Sequence, residues 1–311
     1  MAVSTGRRQN PQVARGQCRH GLAARRCARR LDDAHVEGSK SVNPIQSILV
    51  HLDTGPQGAV RLQVARALAA QFGAAVTALY AVTPLYVQAA TDVVVGSAGE
   101  ALMAYDTERL EAARKLVAKV NAEAGPQVQW REASSASEFT FVRDALYADL
   151  LVLGQLDREH RESGVPVDFV QSVVIASGKP ALVVPYIAKG APRRDTAFVA
   201  WKESREAARA LTAALPLLRM AKTVHVGVEA NGSEHAALRQ YLQRHGIQAK
   251  LHTVNARPAE AGEMLLSLAA DLDADLLVMG CYGHSRAREF VLGGASRTVL
   301  EGMTLPVLLA H

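Results

Sequence analysis

From Ile45 onward, short runs of β-branched and apolar residues alternate with longer amphipathic stretches. The runs at 48–52, 76–82, 128–131, 150–153 and 181–185 are too short for helices and rich in Val, Leu and Ile, which predicts strands buried on both faces. Between them, residues 60–72 place Val60, Val64, Ala67, Leu68 and Phe72 on one face of a helix, and a second helical pattern runs through 103–122. Strands and helices in alternation predict a parallel sheet covered on both faces. After Gly190-Ala191-Pro192-Arg193-Arg194, a linker by its Gly, Pro and charge, the order restarts. Strands are expected at 197–201, 224–228, 250–254, 276–279 and 306–310, and helices at 207–218, 235–245 and 259–272.

The second series copies the first. Ala148-Asp149-Leu150-Leu151-Val152-Leu153-Gly154 matches Ala274-Asp275-Leu276-Leu277-Val278-Met279-Gly280 at an offset of 126, and Pro180 pairs with Pro306 at the same offset. After the first strand of each half, Asp53 answers to Lys202 at an offset of 149, so the first half holds 23 extra residues, expected within 83–106. The expectation is an α/β chain of two tandem doubly wound, Rossmann-like domains, 45–188 and 195–311, each with a five-stranded parallel sheet. Each fifth strand is apolar and would be a hazard as an open edge, so the two are expected to pair with each other about a pseudo-two-fold axis. Association of two chains into a homodimer stays open.

At 311 residues the chain has room for two ordinary domains, and 49% hydrophobic residues supply their cores. No apolar run reaches the ~18 residues of a membrane span, so no membrane partner and a cytoplasmic location are expected. The net charge of +5 is misleading about partners. Residues 1–40 hold nine basic against three acidic side chains, a net of +6, which leaves the remainder at −1. Nucleic-acid binding by the folded body is therefore not expected.

Residues 1–44 carry Arg pairs and no apolar periodicity, and are expected to be a disordered tail. The folded pattern begins abruptly after Val42, which makes residues 1–41 a candidate over-read from an upstream start. Cys18, His20 and Cys27 have no common zinc spacing, and three scattered cysteines make no disulfide framework.

The chemistry concentrates after the fourth strand of the second half. Gly280-Cys281-Tyr282-Gly283 is followed, nine residues on, by Gly293-Gly294-Ala295-Ser296. Residues without Cβ let backbone N–H groups approach phosphate oxygens, and a helix starting near Ser296 adds its positive N-terminal end and a hydroxyl. Open α/β sheets place ligands at this carboxyl end of their strands. His284 lies in the loop, and Lys202, after the first strand, is a point charge for phosphate.

This pattern resembles the Gly-x2-Gly-x9-Gly-Ser/Thr signature of the universal stress protein family, supported by Arg257-Pro258-Ala259-Glu260 and the Ala-Asp-Leu-Leu-Val strands. The resemblance covers both halves and implies an adenine-nucleotide-hydrolase-like fold, a role in stress response, ATP or another adenine nucleotide as ligand, and a protein partner of unknown kind. It also implies departures. An Asp contacts the adenosine after the first strand in nucleotide-binding relatives; here the second half has Lys202, and Gly294 stands where a hydroxyl is usual. The first half keeps Asp53 but aligns Asp157, Val167, Asp168 and Val170 with Gly283, Gly293, Gly294 and Ser296, so its site is degenerate, and Val165–Phe169 reads as a structural loop before a helix.

The expected function is nucleotide sensing or regulation through Gly280, Gly283, His284, Gly293, Gly294, Ser296 and Lys202, with at most slow hydrolysis. The alternative is a nucleotide-free scaffold. An ATP pyrophosphatase is a third reading, disfavoured because Leu52-Asp53-Thr54-Gly55 and Trp201-Lys202-Glu203-Ser204 do not resemble its Ser-Gly-Gly-x-Asp-Ser loop.

Overall fold

The computed structural model describes residues 44–53, 55–89, 97–133, 138–157, 164–193, 195–229, 235–255, 257, 259–282 and 294–311. The tail with Cys18, His20 and Cys27 lies outside them, as do Gly283, His284 and Gly293.

Alternation of strand and helix holds along the chain. The first half contains β1 (Ser47–Leu52), α1 (Gly58–Phe72), β2 (Ala75–Tyr80), α2 (Leu85–Gln88), α3 (Ser97–Ala122), β3 (Val128–Glu132), α4 (Glu138–Ala145), β4 (Leu150–Gly154), α5 (Phe169–Ser177) and β5 (Ala181–Val184). The second contains β6 (Thr196–Ala200), α6 (Arg205–Leu218), β7 (Thr223–Glu229), α7 (His235–Arg244), β8 (Ala249–Val254), α8 (Ala261–Asp271), β9 (Leu276–Gly280), α9 (Gly294–Gly302) and β10 (Val307–Ala310). The interval expected to hold the extra residues of the first half carries α2 and the opening turns of α3, which runs for 26 residues against ten in α7.

All ten strands join one sheet in the order β3-β2-β1-β4-β5-β10-β9-β6-β7-β8. The order reads the same from either end when each strand is exchanged for its counterpart. Every pairing is parallel except the central one, where β5 and β10 run antiparallel with Val183 opposite Val307 and Leu182 opposite Leu308. The two fifth strands thus close each other's edge. Both are buried along their full length, which removes two apolar templates for aggregation.

Side chains alternate between two cores, as the two-residue period of a strand requires. Ile48, Val50 and Leu52 join Leu62, Leu68, Val117, Leu211 and Leu242 on the face covered by α1, α3, α6 and α7. Leu49, Leu151, Leu153 and Leu277 join Phe141, Val173 and Val299 on the face covered by α4, α5, α8 and α9.

The repeated Asp before the fourth strand of each half has one structural job. Asp149 Oδ2 accepts from the backbone N–H of Gln46 and of Ser47, each at 2.9 Å. Asp275 Oδ2 accepts from Asp195 N–H at 2.7 Å and Thr196 N–H at 3.2 Å. Both carboxylates anchor the start of a first strand, at the end of the sheet opposite to the glycine motif.

Candidate functional site

At the carboxyl ends of the central strands the two halves differ in what lies over the strand end. In the first half the Arg61 guanidinium, on α1, rests on Gly154, the last residue of β4, where an added Cβ would overlap Arg61 Nη1. Arg61 Nη2 donates to Asp53 Oδ1 at 2.6 Å, and the pair is nearly out of solvent, at 3% and 12% exposure. Burial by itself would raise the Asp53 carboxyl, but Arg61, His51 and the Gly55 N–H outweigh it and hold the group below the ordinary carboxylate range.

Below this pair His51 is buried between Phe169 and Phe141, with ring centroids at 4.2 and 5.4 Å. Its Nε2 bonds Ala81 O at 2.8 Å, and desolvation pushes the imidazole down to about 4. Gly164 O accepts from Thr83 N–H at 2.8 Å, which fastens the segment ahead of α5 to the end of β2. Val170 is buried in the second core, Val167 is exposed, and Asp168 sits at the start of α5. The group covering the strand end is therefore Arg61, which sequence reasoning missed: an Arg one position after Val60 in an amphipathic pattern reads as solvent-facing.

In the second half the residue answering to Arg61 is Ala210, a buried core residue. Gly280 ends β9, and an added Cβ there would overlap the backbone of Glu206 and Ala207, so this glycine permits the first turn of α6 to press on the strand end. Ser204 caps α6, accepting from Ala207 N–H at 3.2 Å. Glu206 is 3% exposed and hydrogen-bonded to Arg205. Burial opposes its ionisation, but the Arg205 bond, its own N–H and the Ser204 hydroxyl hold the carboxyl below its usual range.

Beyond Gly280, Cys281 is buried with its Sγ toward Ala310 O at 3.4 Å, and desolvation pushes the thiol up to about 12, which makes it an inert packing residue. Tyr282 turns the chain off the strand at φ +59, and its buried hydroxyl has no hydrogen-bond partner among the described residues. Gly294 opens α9 with nothing among the described residues within 4 Å of a Cβ placed on it, and Ser296, in the first turn, is buried. Lys202 lies at the surface, its Nζ 3.7 Å from Glu229 Oε1. The structure thus brings Gly280, Gly294, Ser296 and Lys202 to the carboxyl side of the second half's sheet, while the loop carrying Gly283, His284 and Gly293 is outside the described residues. A helix starting at Gly294 and a buried Tyr282 hydroxyl without a partner among the described residues fit a polar ligand. No group of three or more metal-ligating side chains occurs among the described residues, nor does a helix long and apolar enough to cross a membrane.

Comparison with known proteins bears on the same half. Residues 200–311 match the model of the Universal stress protein family. A universal stress protein from Archaeoglobus fulgidus DSM 4304 is similar in fold, with a TM-score of 0.59 at 16% identity over 85% of this chain and 95% of that one. A universal stress protein of Pseudomonas aeruginosa UCBPP-PA14 matches with a TM-score of 0.55 at 16% identity, covering 86% of this chain and 94% of that one. A functionally unknown protein from Pseudomonas aeruginosa PAO1 gives 0.56 at 15% identity, over 88% and 94%. No curated protein matches the sequence. The chain therefore has the Rossmann-like α/β fold of universal stress proteins, and residues 200–311 carry a domain of that family.

Proposed function

We propose that this is a stress-response protein of tandem universal stress protein architecture, in which residues 195–311 bind an adenine nucleotide, ATP among the candidates, and residues 45–188 form a second, closed domain. The observation that carries this reading is the contrast at the two strand ends. Arg61 lies over Gly154 and is neutralised by Asp53, whereas the residue answering to Arg61 in the second half is Ala210, which has no guanidinium to place over Gly280. The phosphates would be held by backbone N–H groups of the glycine loop and the first turn of α9, at Gly283, Gly293, Gly294 and Ser296, with Gly280 setting the turn and His284 and Lys202 offering positive charge. The role is regulatory: no pairing of nucleophile with general base exists among the described side chains around Gly280.

Titration of the full chain with a fluorescent ATP analogue tests the reading. One saturable site is expected, lost in Gly283→Asp and kept in Asp53→Asn. Two equivalent sites, or binding that survives Gly283→Asp, would overturn it. A wild-type chain that binds no nucleotide would leave the scaffold reading in its place.

A further inference from the structure

His225 on β7 and His252 on β8 meet ring to ring, with His225 Nδ1 2.7 Å from His252 Nε2 and the ring centroids 4.9 Å apart. They lie on the sheet face that carries Phe198, which stands opposite His225 on β6. His225 is 8% exposed, whereas His252 is half-buried on the last strand at that end of the sheet. No residue of β8 is fully buried, and the strand is paired on one side only, with β7. Among the described residues, the histidine pair is the one side-chain hydrogen bond that reaches β8.

The edge at the other end of the sheet is held by different chemistry. The register places Thr77 and Arg131 where the second half has His225 and His252. Arg131 pairs with Asp144 at 3.0 Å, and the Asn121 amide both donates to Val128 O and accepts from Val128 N–H. Neither a guanidinium nor an amide changes charge between about pH 5 and 7, whereas imidazole does.

Two neutral imidazoles carry two hydrogens on four ring nitrogens, so a single hydrogen lies between His225 Nδ1 and His252 Nε2. A first extra proton leaves that bond intact, because it is held on a far nitrogen, His225 Nε2 or His252 Nδ1. A second puts N–H on both facing nitrogens. No lone pair then remains between them, and the two cations repel. Nearby charges sharpen the conflict. Lys250 stands opposite His225 in the register, and burial, His252 and Lys250 together hold the His225 imidazole below its ordinary value. Glu229, on the same face of β7, is exposed beside Lys202, and Glu263 and Asp271 of α8, the helix over this face, are exposed too.

We propose that the His225–His252 pair is an acid-operated latch on the edge strand β8, closed while the pair holds at most one extra proton and released when both rings are charged. An opened strand takes up the second proton near the ordinary histidine value of ~6.5, and the closed pair only below it. The latch is therefore fully effective above that value and weakens as pH falls below it. Release uncovers the edge of β7, whose Val224, Val226 and Val228 are buried, and an apolar strand with an open edge is a template for pairing with another chain.

Hydrogen–deuterium exchange of the full chain at pH 7 and pH 5, corrected for the intrinsic rates, reads β8 apart from the other strands. Protection of residues 249–254 is expected to fall by about tenfold or more at pH 5, the range for a lost hydrogen bond, while β3 at the opposite edge keeps its own. In His252→Gln, and in His225→Thr, which carries the residue of the first half, β8 is expected to be less protected at pH 7 and to change no further at pH 5. Melting curves at pH 7 show which variant folds, and if neither does, the wild-type comparison of β8 with β3 decides. Wild-type β8 protection that is the same at both pH values, an equal fall in β3 and β8, or the wild-type fall persisting in a folded variant would overturn the proposal.

Discussion

Gln155 reaches from the end of β4 into the opposite half, where its Nε2 donates to the carbonyl of Leu300, in α9, at 2.9 Å. The same nitrogen lies 3.2 Å from Glu301 O, and Gln155 Oε1 accepts from Tyr186 N–H at 3.0 Å. One buried amide thus ties the strand ends of the first half to the far end of the helix whose first residue closes the glycine motif.

Replacing Gln155 by Leu should cost about 1–3 kcal/mol, because it strands buried backbone groups that the amide now satisfies. Urea denaturation of the full chain measures it. A cost below about 0.5 kcal/mol would show that water replaces the amide freely.

The Arg61–Asp53 pair is expected to behave as a buried ion pair. Arg61→Met and Asp53→Asn should each destabilise by about 3–5 kcal/mol, since each leaves its partner's charge or polar group uncompensated, and the double change should cost less than the sum. A double-mutant cycle by denaturant unfolding reads the coupling, and strict additivity would mean that the two side chains do not depend on each other.

His51 sets an acid limit on stability. Its folded value near 4 lies below the unfolded value near 6.5, so between these pH values the unfolded chain binds the extra proton and stability falls as pH falls. The full effect corresponds to about 3 kcal/mol. Asp53, whose carboxyl is held low, adds stability that is present above the ordinary Asp range and is lost as pH falls further, through its depressed folded value. Unfolding free energies measured from pH 4 to 7 should therefore rise with pH, and His51→Leu should flatten that slope.

The two described glycines of the motif should respond in opposite ways. Gly280→Ala forces a Cβ into the Glu206–Ala207 backbone and should lower the melting temperature by several degrees. Gly294→Ala meets no described residue within 4 Å at the start of a helix and should leave it unchanged or raise it. Melting curves of the two variants decide this, and similar losses in both would contradict the geometry.

Much of the fold was legible because periodicity and repetition report packing directly. The apolar strands and the repeated Ala-Asp-Leu-Leu-Val segment located both halves of the sheet, and the apolar fifth strands pointed to the antiparallel join of β5 and β10. The shared offset of Asp149 and Asp275 marked them as counterparts, though not that each carboxylate accepts the N–H groups of a first strand. The candidate site was legible only as a glycine spacing. Arg61 and Glu206 are charged residues in amphipathic helices, where a solvent-facing reading is the ordinary one, and their burial depends on how closely a helix start approaches a strand end across the chain. For Lys202 the sequence showed its position after the first strand of the second half, and the structure adds its exposed neighbour Glu229.

The antiparallel seam between β5 and β10 also changes what a single substitution can do. In a pair made from two identical chains, any residue introduced at one strand end appears at both, and a group that shuts one site shuts its twin. Here both sides of the seam belong to one polypeptide, so Arg61 is present once and its counterpart is an alanine. The shared sheet therefore holds two unlike strand ends in a fixed ratio of one to one, at any concentration of the protein.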